Sequence, residues 1–306
     1  MDEIKDILSE LGYSQIKDYA SEYRMFPIYR QSDSPCLSVK KNSGFFIDYG
    51  RDIKGDFLKL IQISLNFKDK TKAKEWLSNK DIQFDEQKIR QKTLEKLNYK
   101  KFYSKDNLSK LISTHNYWIN RGVNKETLEL FKGGLDNGIE GGKFYNRYVF
   151  PIFDENLNIL GFSGRLTKHS ERAPKWKHIG QKSHWAYPSF LSSEHVSEKR
   201  ELIIVESIGD MLALFNCGIK NVIVAFGVTL SNSIINFTLR HRLNRIIIAL
   251  NDDSQNNNVG NKAALKFKNE LSKHFNEDKI KIKLPIEKDF GEMSANQILD
   301  WYKNAR

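Results

Sequence analysis

Cysteine is scarce in this 306-residue chain, with Cys36 and Cys217 the only two. Two thiols cannot build a disulfide scaffold or a four-thiolate zinc site, so a reducing compartment is the expectation. Long apolar runs are missing too. No stretch approaches the roughly 20 residues that span a bilayer, and Met1-Asp2-Glu3 does not open a signal peptide. A soluble cytoplasmic protein without membrane contact is therefore expected. Internal repeats and low-complexity tracts are lacking, which argues against a solenoid or a composition-driven disordered chain. Acidic residues are in deficit: 49 Lys and Arg face 38 Asp and Glu, a net charge of +11. That excess favours a polyanionic partner. A nucleotide-hydrolysing phosphate loop is also absent. Gly138 and Gly142-Lys143 have the wrong spacing, and Phe144 follows the lysine instead of Ser or Thr.

What is present is enough apolar residue, 40% of the chain, for two or three small cores. Residues 1–80 read as a mixed domain. It has a helix at Glu3–Leu11, a hairpin of Cys36–Lys41 and Gly44–Tyr49, and a helix at Asp56–Leu65. Residues 81–105 are charged and Pro-free, with few large apolar anchors, and read as an exposed linker helix. Residues 106–199 form a basic region, with a helix expected at Leu108–Asn120 and a hairpin of Arg147–Phe153 and Ile159–Arg165. Residues 200–306 alternate strand and helix, which predicts a small, mostly parallel sheet covered by helices. The fold class is α/β within a multi-domain α+β chain.

Two of the apolar runs, Leu202–Val205 and Ile246–Leu250, stop abruptly at Glu206 and at Asn251-Asp252-Asp253. Buried strands that end in acids deliver oxygen ligands to the C-terminal edge of a sheet, where ligands bind. Asp210 lies one helical turn beyond Glu206 and shares its face. Hard divalent cations take such donors, and Mg²⁺ in particular combines one or two carboxylates with substrate phosphates. A basic chain with acids gathered at one edge fits a metal-dependent enzyme acting on nucleic acid. Residues 161–200 hold eight Lys or Arg against three Glu, with Trp176, Trp185 and Tyr187 interleaved. Aromatics that stack on bases and cations that follow phosphates suit a single-stranded track, with Trp176, Lys177 and Lys182 as candidates. The four histidines here (His169, His178, His184, His195) match no closed metal site and are assigned no role.

Glu206, Asp210, Gly227 after a strand and an acidic pair after the next strand together resemble the Toprim domain of primases, topoisomerases and some nucleases. Upstream, three ordered segments are similar to the RNA-polymerase core of bacterial, DnaG-like replicative primases. They are Arg147-Tyr-Val-Phe-Pro-Ile-Phe-Asp154, Gly161-Phe-Ser-Gly-Arg165 and Pro174-Lys175-Trp176, and Tyr117–Gly122 resembles the element that opens that core. The N-terminus keeps the frame of the family's zinc ribbon but places Phe26, Tyr29, Asp48 and Arg51 where the ligands belong. That set cannot bind zinc. The resemblance therefore implies a degenerate zinc-ribbon-like domain without zinc, its space filled by Phe26 and Tyr29. It precedes a primase core made of a mixed β-hairpin subdomain and a Toprim α/β sheet. A chain of this length without a fused helicase looks most like the stand-alone primases of tailed phages.

The resemblance implies a nucleotidyltransferase making short RNA primers from ribonucleoside triphosphates on single-stranded DNA, with a replicative helicase as a partner in trans. Mg²⁺ or Mn²⁺ would be held by Glu206, Asp210, Asp253 and Asp289, with Asp252 and Asn251 beside them. Arg147, Arg165 and Lys175 would seat the triphosphate and template. Asn251 departs from the family's Asp-x-Asp pattern, offering an oxygen without charge. Gly227 would permit a tight turn beside the site. The amide-rich stretch Ser254–Asn261, including Gly260, replaces a short Ala-Gly link; a phosphate contact and a plain long turn are both open. Two other readings stand beside the primase: a Toprim-type nuclease, and a non-catalytic single-stranded-DNA-binding replication subunit with a decayed metal site.

Overall fold

The computed structural model describes residues 3–51, 53–80, 102–136, 138, 142–168, 170, 173–252 and 259–305. The expected linker helix lies almost wholly outside these residues. So do His169, Asp253 and the loop that follows it. The chain divides into two compact units, Met1–Glu95 with Lys268–Ile280, and Lys96–Phe267 with Lys281–Arg306.

The first unit opens with α1 (Glu3–Glu10), followed by β1 (Lys17–Asp18), β2 (Glu22–Met25), β3 (Leu37–Lys40), β4 (Phe46–Asp48) and β5 (Ile53–Gly55). The five strands form an antiparallel meander in sequence order. Alternation sends Tyr23, Met25, Leu37, Val39 and Phe46 into one core. Gly44 closes the β3–β4 turn with a positive φ of 66° that disfavours a side chain. Asp56 then caps α2 (Phe57–Ser64) by accepting from Lys59 N at 2.8 Å, and Phe57, Leu60 and Ile61 are buried along one face. α3 (Lys70–Ser78) completes this part.

Asn276, 1% exposed, belongs to this unit although it lies 220 residues beyond Asp56. Its Oδ1 accepts from Asp56 N at 2.8 Å and its Nδ2 donates to Asp56 Oδ2 at 2.6 Å. Hydrogen bonds to a charged group contribute about 1.5–3 kcal/mol. Asn276→Ala is therefore expected to lower stability by about that amount in urea titration. A variant that unfolds with wild type would show that the pair contributes nothing.

Where the resemblance placed zinc ligands, the structure holds an ion-pair cluster. Asp48, with a fully buried side chain, accepts from Arg30 Nε at 2.8 Å, Arg30 Nη2 at 2.6 Å, Tyr29 Oη at 2.9 Å and Gly50 N at 2.9 Å. Arg30 Nη2 also donates to Cys36 Sγ at 3.0 Å. Tyr29 does occupy this space, through its hydroxyl on Asp48, and Arg30 joins it there. A buried carboxylate demands a cation and hydrogen bonds, and these come from Arg30 and from the Tyr29 hydroxyl.

The second unit contains β6 (Leu111–Ile112), α4 (Asn116–Ile119), α5 (Lys125–Leu130), β7 (Gly134–Asp136), β8 (Arg147–Phe153), β9 (Ile159–Leu166) and β10 (Trp176–Gly180). These strands make an antiparallel sheet ordered β10-β9-β8-β7-β6. The single helix expected at Leu108–Asn120 is instead a 3₁₀ turn (Lys105–Lys110), β6 and the one-turn α4. Ile112-Ser113-Thr114 pairs β-branching with hydroxyls that compete for backbone bonds, and Ile112 registers with Leu135 of β7. Then follow α6 (Ser189–Lys199), β11 (Glu201–Val205), α7 (Ile208–Asn216), β12 (Val222–Val224), α8 (Asn232–Arg240), β13 (Arg245–Ala249), α9 (Val259–Leu271), β14 (Ile280–Ile282) and α10 (Ala295–Ala305). The sheet order is β12-β11-β13-β14, and β11 runs parallel to both β12 and β13. The Ile and Val runs of these strands are buried on both faces, as a helix-covered parallel sheet requires. One core holds Tyr148, Phe150 and Ile152 of the antiparallel sheet together with Ile203, Val205, Ile247 and Trp301. Residues from both the 106–199 and 200–306 regions thus meet in one core, while Lys268–Ile280 belong to the first unit. No helix among the described residues is long and apolar enough to cross a membrane.

Candidate active-site cleft

β11 ends at Val205, and the next residue, Glu206, enters a cleft of about 680 Å³ in the second unit. Two backbone bonds set its position: Ala225 N donates to Val205 O at 2.8 Å, and Gly227 N to Glu206 O at 3.3 Å. Gly227 has φ 123°, and Phe226 before it has φ 57°. The turn expected at Gly227 is thus present, and only glycine adopts such a conformation freely.

Ser207 caps α7 and Asp210 completes a reciprocal capping box. Asp210 is 1% exposed, and both of its oxygens are engaged. Oδ2 accepts from Ser207 N at 3.0 Å and Ser207 Oγ at 2.7 Å, while Oδ1 accepts from Phe290 N at 3.1 Å. In this geometry Asp210 organises the helix start and the Phe290 loop, and its Oδ1 accepts a single bond. Burial pushes its carboxyl up to about 7, and nearby Asp289 adds to the rise against the pull of the Ser207 and Phe290 bonds. The Phe290 contact also fixes the loop carrying Asp289, whose Oδ1 accepts from Glu292 N at 3.1 Å. Asn251, after β13, lines the same cleft, and its Oδ1 is buried without a hydrogen-bond partner among the described residues.

The same cleft is lined by Arg165 of β9, Lys175 just before β10 and Trp176 at its start, with Trp118 and Arg121 from α4 and the turn after it. Arg165 Nε donates to Tyr117 Oη at 2.8 Å, and its guanidinium lies 5.5 Å from the centre of the Trp176 ring. Trp176 stacks on Trp118 at 6.3 Å, and Arg121 covers the Tyr117 ring at 4.3 Å. Partial desolvation, with Arg165 alongside, holds the Lys175 ammonium below the usual lysine value.

The structure thus brings Glu206, Asp210, Asn251, Asp289, Arg165, Lys175 and Trp176 around one cleft. Four other expected site residues stand in different surroundings. Asp252 is not among the cleft residues; its N–H donates to Lys288 O at 3.0 Å and its Oδ1 accepts from Asn261 Nδ2 at 3.3 Å. Lys182 donates its Nζ to Phe226 O at 3.1 Å, so it braces the turn beside Glu206. Lys177 is exposed on β10 away from the cleft, in register with Gly164. Arg147 is buried and spends its guanidinium on backbone carbonyls of Gly164, Pro174 and Lys175. Gly260 is buried at the start of α9. The residues missed from sequence are Trp118 and Arg121; their signal was the Tyr117–Gly122 segment already noted, where the positive φ of Gly122 (82°) turns the chain out of α4.

Among the described residues no three His, Cys, Asp or Glu side chains converge tightly enough to hold a metal ion. The oxygens of Glu206, Asn251 and Asp289 are nonetheless the donors a hard cation takes, and the buried Asn251 Oδ1 has ligand capacity to spare. Such a set fits Mg²⁺ or Mn²⁺ completed by substrate phosphates rather than a closed protein cage.

Residues 200–283 match the Toprim domain family. The DNA primase of Helicobacter pylori strain J99 is 24% identical over 315 aligned positions, covering 89% of this chain and 54% of that protein. The chain spans about half the length of this and two further curated relatives, each a DNA primase. Among solved structures, the zinc-binding and RNA polymerase domains of the Aquifex aeolicus primase align over 100% of this chain and 83% of that one, at 18% identity and a TM-score of 0.52. The DnaG primase catalytic domain bound to single-stranded DNA aligns over 63% and 71%, at 19% identity and a TM-score of 0.50. These structural likenesses bear on fold. Residues 200–283 form a Toprim domain, and the chain as a whole resembles the bacterial-type, DnaG-like DNA primases in sequence and in fold.

Proposed function

We propose that this protein is a DNA primase, joining ribonucleotides into short RNA on a single-stranded DNA template. The observation that carries the reading is one cleft lined by carboxylate and amide oxygens together with the cations Arg165 and Lys175. Joining nucleotides brings a triphosphate to a growing polyanionic strand, so charge must be neutralised where pyrophosphate leaves. A divalent cation held by Glu206, Asn251 and Asp289, with Asp253, would supply that neutralisation and activate the attacking hydroxyl. Arg165 and Lys175 grip phosphate oxygens, Arg by a fork and Lys as a point charge. Tyr117 and Trp176 hold Arg165 in place before substrate arrives, so little ordering entropy remains to be lost on binding. A replicative helicase is the expected partner in trans, since priming follows unwinding.

The test is RNA synthesis from labelled ribonucleotides on single-stranded DNA, with Mg²⁺, with Mn²⁺ and with chelator. Short metal-dependent oligoribonucleotides support the reading. A second reading, a non-catalytic DNA-binding subunit, draws on Asn251 standing where an acid is expected. Tight DNA binding without product, even with helicase added, would favour it.

Trp176 faces the cleft from its stack on Trp118. If it receives a template base, Trp176→Ala should weaken single-stranded DNA binding by about 1–3 kcal/mol, the value of one base–aromatic stack. Anisotropy of a labelled oligonucleotide at fixed salt reads this; unchanged affinity would remove Trp176 from the DNA path.

A further inference from the structure

Arg147 opens β8 at the middle of the antiparallel sheet and is 3% exposed. Its side chain crosses β9 to reach the start of β10. Nη1 donates to Gly164 O at 3.1 Å and to Lys175 O at 3.4 Å, and Nη2 donates to Pro174 O at 2.7 Å. No carboxylate among the described residues pairs with it. A buried guanidinium served only by neutral carbonyls is an expensive way to stabilise a sheet, and an apolar side chain would do that task better.

The three carbonyls share one property. Gly164 precedes Arg165, and Pro174-Lys175 precedes Trp176, so one side chain fixes the backbone beneath both cleft cations. The β9–β10 register, pairing Arg165 with Trp176, and the Leu166 N to Lys175 O bond at 3.0 Å complete the frame. Gly164 lies beside the crossing, under the Phe144 ring. A Cβ there would lie 2.4 Å from the Phe144 ring and 3.2 Å from Arg147 Cδ.

We infer that Arg147 is a positioning residue, setting the spacing and direction of Arg165 and Lys175 without touching substrate itself. The inference rests on the reading that those two cations seat a triphosphate. Misplacing a phosphate grip by about 1 Å can cost roughly a hundredfold in rate.

Arg147→Met keeps the apolar stem and removes every donor. It is expected to lower nucleotide incorporation about 10–100-fold. The slope of log affinity for single-stranded DNA against log salt should stay unchanged, because no phosphate contact is lost. A direct phosphate contact at Arg147 would instead reduce that slope by about 0.7, which would overturn the inference. In an Arg165→Ala background the effect of Arg147→Met should shrink; effects that multiply would mean that Arg147 acts independently, and would also overturn it. Arg147→Lys, which keeps the charge but loses the guanidinium fork, should reproduce part of the loss. It serves as the readout if Arg147→Met fails to fold. Binding of inorganic triphosphate by calorimetry runs alongside the synthesis assay. Wild type that makes no RNA ends the primase reading, while the same cycle measured on triphosphate affinity still decides the role of Arg147.

Discussion

Glu206→Gln is expected to reduce RNA synthesis by roughly 10²–10³-fold while leaving the fold intact. A metal acting as Lewis acid contributes several kcal/mol to the transition state, and each 1.36 kcal/mol is tenfold in rate. Glutamine preserves the size of the side chain and one oxygen acceptor but removes the charge. The backbone bonds that place residue 206, from Gly227 N and from Ala225 N to its neighbour Val205, do not depend on the side chain. Thermal unfolding should therefore change little, and single-stranded DNA should still bind through Arg165, Lys175 and Trp176. Raising Mn²⁺ should recover part of the lost rate if charge at the metal is what glutamine removes. Full activity in the variant would show that Glu206 is a helix-start residue favoured only by the α7 dipole.

A comparable loss, in stability instead of rate, is expected at Asp48. Removing one partner of a buried ion pair costs about 3–5 kcal/mol, because the remaining charge is stranded. Asp48→Asn should bring a loss of that order. Burial raises the Asp48 carboxyl, but the bonds from Arg30, Tyr29 and Gly50 outweigh it and lower the pKa to about 2. A folded value below the unfolded one of 3.8 means stability that is fully present above about pH 4. It drains away as pH falls through 2. Wild type should therefore lose melting temperature steeply between pH 4 and 2, where Asp48→Asn stays flatter. In Arg30→Met the acid limb should move to higher pH, since the carboxylate has lost its cation. Parallel curves for wild type and Asp48→Asn across that window would remove the pair from the stability of this unit. Chelator should leave the same transition unmoved.

The part of the site that was legible in the sequence is the part whose placement is local. Ile and Val runs that stop at Glu206 and Asn251 mark parallel strands and the edge they reach, because nothing non-local is needed to end a strand. The Ser207–Asp210 capping box spans only four residues, but its consequence, two engaged oxygens on Asp210, needs Phe290 from 80 residues away. Arg147 shows the opposite case. Residue type and motif spacing singled it out, but only the sheet shows that its guanidinium turns inward across β9. Arg30 gave no signal at all, since nothing in a linear reading pairs it with Asp48. The helix expected at Leu108–Asn120 failed because apolar spacing was weighed above the β-branched, hydroxyl-rich stretch within it.

The clasp of Asn276 on Asp56 also has a temporal side. A ribosome adds about 5–20 residues per second, so the 220 residues between the two take roughly 10–40 s to appear. Until then the nascent N-terminal sheet carries α2 with its Asp56 cap but without Lys268–Ile280, and the carboxylate that Asn276 later clasps has only its Lys59 and Lys70 partners. A chain truncated before residue 268 would remain in that intermediate condition, and pulse-proteolysis of stalled nascent chains would find its first 80 residues more readily cleaved than in the finished protein.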